Sequence, residues 1–135
     1  MGMQRTIWIV DDDSMVLDVL STMVASLGYK VRTFSAEAVH DQPDWVEAVI
    51  GELSGDLYVT IDLDVLDPAI MPATGTPEPG GVSWRQVLDL LRAASKTCAI
   101  RGFDVVELSP LPGMVAPDFL ATKLIYRIMG YIASR

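Results

Sequence analysis

Two aspartates, Asp62 and Asp64, stand two residues apart near the end of an apolar stretch, Leu57 to Val65. If that stretch is a strand, residues i and i+2 share a face, so both carboxylates point the same way near its C-terminal end. Hard divalent cations take clustered carboxylate oxygens, and such a pair can supply two ligands to Mg²⁺ or Mn²⁺. A second acidic run, Asp11-Asp12-Asp13, closes the apolar run Ile7-Trp8-Ile9-Val10. Asp11 and Asp12 are further candidate ligands, whereas Asp13 reads more simply as a helix cap with Ser14. His40 is the single histidine and Cys98 the single cysteine. Together they exclude a zinc pattern and an intrachain disulfide.

The setting of these acids narrows the function classes. The chain has 135 residues, half of them hydrophobic, and a formal charge of −8. Its mean hydropathy is +0.33 and its pI about 4.4. The length suits one domain with a sizeable core. The acidic balance argues against nucleic acid and against an anionic membrane as partners, since both recruit clustered Lys and Arg. No apolar run reaches the ~20 residues a membrane helix needs. A reduced, cytoplasmic compartment is expected from the cysteine usage.

The elements that must position the acids follow from periodicity. Ile7 to Val10 suits a buried strand. Val16, Leu17, Leu20, Met23, Val24 and Leu27 recur at helical spacing up to Gly28, and Val31 to Phe34 reads as a second strand. Pro43 opens a helix with Trp45, Val46, Val49, Ile50 and Leu53 as its inner stripe. The aspartate strand follows, then a Pro- and Gly-rich loop from Pro68 to Gly81, of a length that is often functional. Ser83 caps a third helix, Ile100 to Leu108 makes a fourth strand, and Asp118 to about Ile132 a last helix. The order βαβαβαβα points to an α/β fold, a single three-layer αβα domain over residues 1–135 with a four-stranded parallel sheet.

Residues 3 to about 38, with the strand ending in Asp11-Asp12-Asp13-Ser14 and the later Leu27-Gly28-Tyr29, resemble the start of a response-regulator receiver domain. From about Pro43 onward the chain resembles the C-terminal part of the ureohydrolases, the agmatinase and arginase family. Thr60-Ile61-Asp62-Leu63-Asp64-Val65-Leu66-Asp67-Pro68 matches that family's aspartate strand. Gly75-Thr76-Pro77-Glu78-Pro79-Gly80-Gly81 and Gly102-Phe103-Asp104-Val105-Val106-Glu107-Leu108-Ser109-Pro110 follow in order. The second resemblance implies that Asp62 and Asp64 help hold a manganese pair and that Glu107 contacts a substrate guanidinium. The first implies magnesium at Asp11 and Asp12.

Taken together, the resemblances imply a recombined or engineered chimera with a receiver-like segment, 1–38, and a ureohydrolase-like segment, 39–135. Neither segment brings its full set of partners. The Gly-Gly-Asp-His and Asp-Ala-His ligand motifs of ureohydrolases are absent, as are the receiver's later Thr and Lys. The expected function is therefore a non-catalytic scaffold requiring no cofactor. The alternative is a weak Mg²⁺- or Mn²⁺-binding protein with residual ureohydrolase or phospho-acceptor activity. The expected strand order is 2-1-3-4, flavodoxin-like, with 2-1-4-3 as the rival. The favoured order would crowd Asp11, Asp12, Asp62 and Asp64 at one sheet edge. The apolar fourth strand, with Ile100, Phe103, Val105 and Val106, would leave an edge suited to a homodimer or to exchange of elements.

Overall fold

The computed structural model describes residues 6–11 and 14–134. The chain divides into two compact units, residues 1–43 and 44–135. In the first, strand β1 (Thr6–Asp11) pairs in parallel with β2 (Lys30–Ser35), placing Asp11 opposite Ser35. Trp8 stacks on Phe34 with ring centroids 5.6 Å apart. Helix α1 (Ser14–Ser26) crosses over from β1 to β2 and packs on both. Its expected inner stripe is only partly covered. Leu17 is buried, but Val16, Leu20, Met23 and Leu27 are exposed.

A short helix absent from the sequence-based expectation, α2 (Ala36–Asp41), follows β2 directly. Ser35 caps it, its hydroxyl accepting from the Ala38 N–H at 3.3 Å. The helix expected from Pro43 is the short helix α3 (Trp45–Ile50), with Trp45 and Val49 buried.

The second unit carries the aspartate strand. Strand β3 (Asp56–Asp62) pairs in parallel with β4 (Ala99–Val106). Along β3 the pleat alternates: Leu57, Val59 and Ile61 are more buried than Tyr58 and Thr60. The outer pair is not idle, because the Tyr58 and Thr60 hydroxyls both donate to Oδ2 of Asp104 across the sheet, at 2.8 and 3.2 Å. Helix α4 (Trp84–Thr97) packs on α3, on α5 and on β4, while α5 (Val115–Ala133) packs on α4 and β4. Pro117, Ala121, Leu124 and Ile128 are the buried positions of α5, at helical spacing. That helix begins earlier than expected because Pro117 falls in its first turn, where a missing N–H leaves no bond unmade.

Parallel strands alternating with helices make the chain an α/β protein, as its element order implies. Among the described residues, the 2-1 pairing of the expected order is present in the first unit and the 3-4 pairing in the second, each as a two-stranded parallel sheet.

Helix α4 is started by a capping box. Ser83 Oγ accepts from the Gln86 N–H at 3.3 Å, and Gln86 Oε1 accepts from the Ser83 N–H at 2.8 Å. Ser83→Ala leaves both the helix and its core stripe of Leu88, Leu91 and Ala94 in place, but strips one acceptor from the first turn. The expected loss is about 1 kcal/mol in urea denaturation, against a few tenths for Ser83→Gly.

Candidate metal and substrate carboxylates

Asp62 ends β3, but Asp64 is not on the strand. Residues Leu63–Val65 form a 3-10 turn for which Asp62 is the N-cap, its Oδ1 accepting from the Asp64 N–H at 3.2 Å. The reading of two carboxylates sharing one strand face is therefore corrected. A capping aspartate competes with the ladder for the next backbone N–H and turns the chain out of the strand. The two acids remain neighbours through the cap instead of through the pleat. Leu63 and Leu66, on either side of Asp64 in sequence, are fully buried and anchor the turn.

The loop after the turn is pinned at both ends. Val82 N–H donates to Val65 O at 2.8 Å, and Asp67 N–H donates to Val82 O at 3.1 Å. Asp67 also closes the loop with its carboxylate, accepting from the N–H groups of Ala69 and Gly80 at 2.8 and 3.1 Å. Inside the loop Met71 and Ala73 are fully buried, and Thr74 nearly so. What reads from sequence as an irregular loop is an anchored one. Its exposed tip presents Thr76, whose hydroxyl donates to Asp64 Oδ2 at 2.8 Å.

Glu107 lies one residue beyond β4. Asp62 is the register partner of Val106, so the parallel pairing delivers Glu107 to the same carboxyl edge. Its φ is +64°, the only positive value among the described non-glycine residues. Holding a glutamate there costs roughly 1–2 kcal/mol, and strain of this kind collects at functional positions. A carboxylate oxygen of Glu107 lies 4.0 Å from where a side chain on Gly75 would begin, which sets it against the pinned loop. Ser109 N–H donates to Ala73 O at 2.8 Å and ties the segment after Glu107 to the same loop.

The electrostatics follow from this crowding. Asp62 has its pKa raised from 3.8 to about 6, first by partial burial, then by the carboxylate of Asp64, with a further push from Glu107. Three acids of the second unit thus share one edge. Asp11 lies at the C-terminal end of β1 in the first unit, and Asp12 and Asp13 fall outside the described residues. Among the described residues no group of three His, Cys, Asp or Glu side chains is placed to hold a metal ion. Glu107 is felt by Asp62 as charge without joining it as a third ligand. Oxygen donors are the right chemistry for a hard or borderline divalent cation such as manganese. A carboxylate offers about four lone-pair positions, of which one on each aspartate is used by the bonds described. The pair fits as two ligands of a larger set.

Comparison with known proteins gives this edge its family. The model of the arginase family matches residues 18–130. The chain is 39% identical over 102 residues to an N(1)-aminopropylagmatine ureohydrolase of Synechocystis, covering 75% of this chain and 33% of that protein. Among solved structures it resembles proclavaminate amidinohydrolase from Streptomyces clavuligerus, with a TM-score of 0.72 at 34% identity, over 81% of this chain and 38% of that one. Arginase from Medicago truncatula gives a TM-score of 0.71 at 27% identity, over 95% of this chain and 40% of that one. The chain belongs to the arginase family. It spans about one third of the length of the curated relatives it matches.

These findings correct three expectations. The receiver-like reading of residues 3–38, and with it the chimera, is overturned: the family model enters within α1 and runs through β2 without a break. An apolar strand closing on acids, followed by an amphipathic helix, is the ordinary grammar of any parallel βαβ unit. The acidic turn carried no information specific to receivers. An engineered scaffold without catalytic function is overturned too, as is its assignment as a non-enzyme, because the relatives matched are ureohydrolases and amidinohydrolases by name. No helix among the described residues is long and apolar enough to cross a membrane.

Proposed function

We propose that this chain supplies the aspartate edge of a manganese-dependent ureohydrolase centre acting on a guanidino compound. The supporting observation is the convergence of Asp62, Asp64 and Glu107 at one carboxyl edge, with the Asp62 pKa raised to about 6 by burial and by its neighbours. Like charges held together at such a cost are what a bound cation relieves. Manganese is the cofactor on which the arginase family depends.

In this reading Asp62 and Asp64 are ligands, and Glu107 pairs with the planar guanidinium through a charge-assisted contact. Manganese, when bound, supplies Lewis-acid activation of water for attack on the guanidinium carbon. Water adds to that carbon, a C–N bond breaks, and urea leaves with the amine. Glu107 binds and orients the cation. Its strained backbone keeps the carboxylate from relaxing along the strand, which lowers the cost of ordering it when substrate arrives.

The relatives' names suggest N(1)-aminopropylagmatine, agmatine and arginine as trial substrates. The test is calorimetric binding of each to the chain in the presence of Mn²⁺, since turnover needs the larger ligand set of which this edge is a part. Binding of at least one is expected, with Glu107→Gln weakening it by at least about tenfold through loss of a charged contact worth about 1.5–3 kcal/mol. A preparation that binds Mn²⁺ yet binds no guanidino compound overturns the assignment.

A further inference from the structure

We infer that Thr76 is a positioning residue for the metal ligand Asp64, and that the anchored loop carrying it sets the ligand and the guanidinium-facing Glu107 together. The inference rests on the ureohydrolase reading of the edge and deepens it.

Asp64 is held at two points. Its backbone N–H is bound by the Asp62 cap, which fixes where the residue sits. Its carboxylate is bound through Oδ2 by the Thr76 hydroxyl at 2.8 Å, which fixes how the group is turned. A short hydroxyl-to-carboxylate bond of this kind is charge-assisted and directional. Without it the Asp64 carboxylate is free to rotate away from Asp62, the direction that repulsion between the two acids favours.

The hydroxyl is not delivered by a floppy tip. Three residues before it Ala73 is fully buried, and two residues before it Thr74 is only 9% exposed. Oγ1 of Thr74 has no hydrogen-bond partner among the described residues. Burying an unpaired hydroxyl is unfavourable, so the loop keeps this conformation against a local cost. The same four residues reach Glu107 on their other side, through the approach of Gly75 to its carboxylate and through the Ala73–Ser109 backbone bond. One segment thus touches the ligand and the substrate-binding acid at once.

Two effects of the Thr76 bond oppose each other. It withdraws electron density from Asp64, which weakens a metal bond, and it holds the carboxylate in place, which strengthens one. Partners that orient metal ligands typically contribute 10–100-fold in metal affinity, so orientation is the larger effect.

The experiment is a Mn²⁺ titration of the chain and of its Thr76→Val and Thr76→Ser variants, followed by the electron paramagnetic resonance of free Mn²⁺. Metal-free melting curves check that each variant is folded. Thr76→Val keeps the shape and removes the hydroxyl, so its dissociation constant should rise by about tenfold, while Thr76→Ser should stay within about twofold of the parent. A purely structural threonine would not distinguish the two by metal affinity at equal melting temperature. Unchanged or tighter binding by Thr76→Val overturns the positioning role and leaves the metal site standing. Absence of Mn²⁺ binding by the parent chain at millimolar metal overturns the metal site and this role with it.

Discussion

Gly81→Ala is expected to destabilise the second unit by about 2–3 kcal/mol, the upper part of the range for overpacking a close-packed site. A Cβ at that position would lie 2.6 Å from Asp67 N, 2.7 Å from Leu66 C and 2.7 Å from Val65 O. All three are backbone atoms, so none can swing aside as a side-chain tip would. They are also the atoms around which the loop is pinned, since Val82 binds Val65 O and Asp67 N. Relief of the clash therefore requires breaking the bonds that close the loop. Gly80 is the internal control. It has φ of +94° but nothing within 4 Å of where a Cβ would stand, so Gly80→Ala strains only the backbone, by roughly 1–2 kcal/mol. Guanidinium denaturation of both variants tests the ranking. If Gly81→Ala is no worse than Gly80→Ala, the close approach is not what selects glycine there.

The same loop shows what could and could not be read from residues alone. The motif Asp62-Leu63-Asp64 located the metal-ligand candidates, and Gly102 to Pro110 located Glu107, because those signals lie in contiguous residues. The capped start of α4 was legible in Ser83, which stands just before the helix's apolar stripe, whereas its partner Gln86 emerged only from the structure. Gly80 and Gly81 were visible as the end of a Pro- and Gly-rich loop, yet the reason for Gly81 was not. The contact that demands Gly81 comes from residues fourteen to sixteen positions earlier, and no local pattern encodes it.

The break of β3 at Asp62 was missed because an aspartate between Ile61 and Leu63 continues the apolar alternation while its side chain favours a cap. The local hydrogen bond prevailed over the pleat. Helix α2 was missed because it has a single turn and a half, too short for a stripe to show. Thr76 could have been suspected only by asking which hydroxyls a loop between two acids would return to them. A strand ending in acids, such as β1 with Asp11, is not a family signature. In α/β proteins the carboxyl ends of strands collect such residues whatever the family.

Asp62→Asn is expected to move stability and metal binding in opposite directions. In the metal-free protein the folded state holds Asp62 with a pKa near 6 against 3.8 for the unperturbed group. A raised carboxyl pKa means that the folded state prefers the proton, so its stabilising contribution is complete below about pH 4 and is lost as the pH rises through about 6. At pH 7 the wild type thus carries a charged Asp62 beside Asp64 at a cost. Asparagine is neutral, of the same shape, and keeps an oxygen to accept the Asp64 N–H. Metal-free Asp62→Asn should therefore melt higher than wild type at pH 7, with the difference closing as the pH falls from about 6 to about 4. Added Mn²⁺ reverses the order. It stabilises wild type by mass action, because it binds the folded state alone, and leaves the variant unmoved for want of a charged ligand. Thermal melts across pH, with and without Mn²⁺, read both effects. A metal-free variant that melts lower than wild type at pH 7 would show that repulsion at Asp62 is not the dominant strain at this edge. Equal Mn²⁺ shifts in both proteins would remove Asp62 from the ligand set.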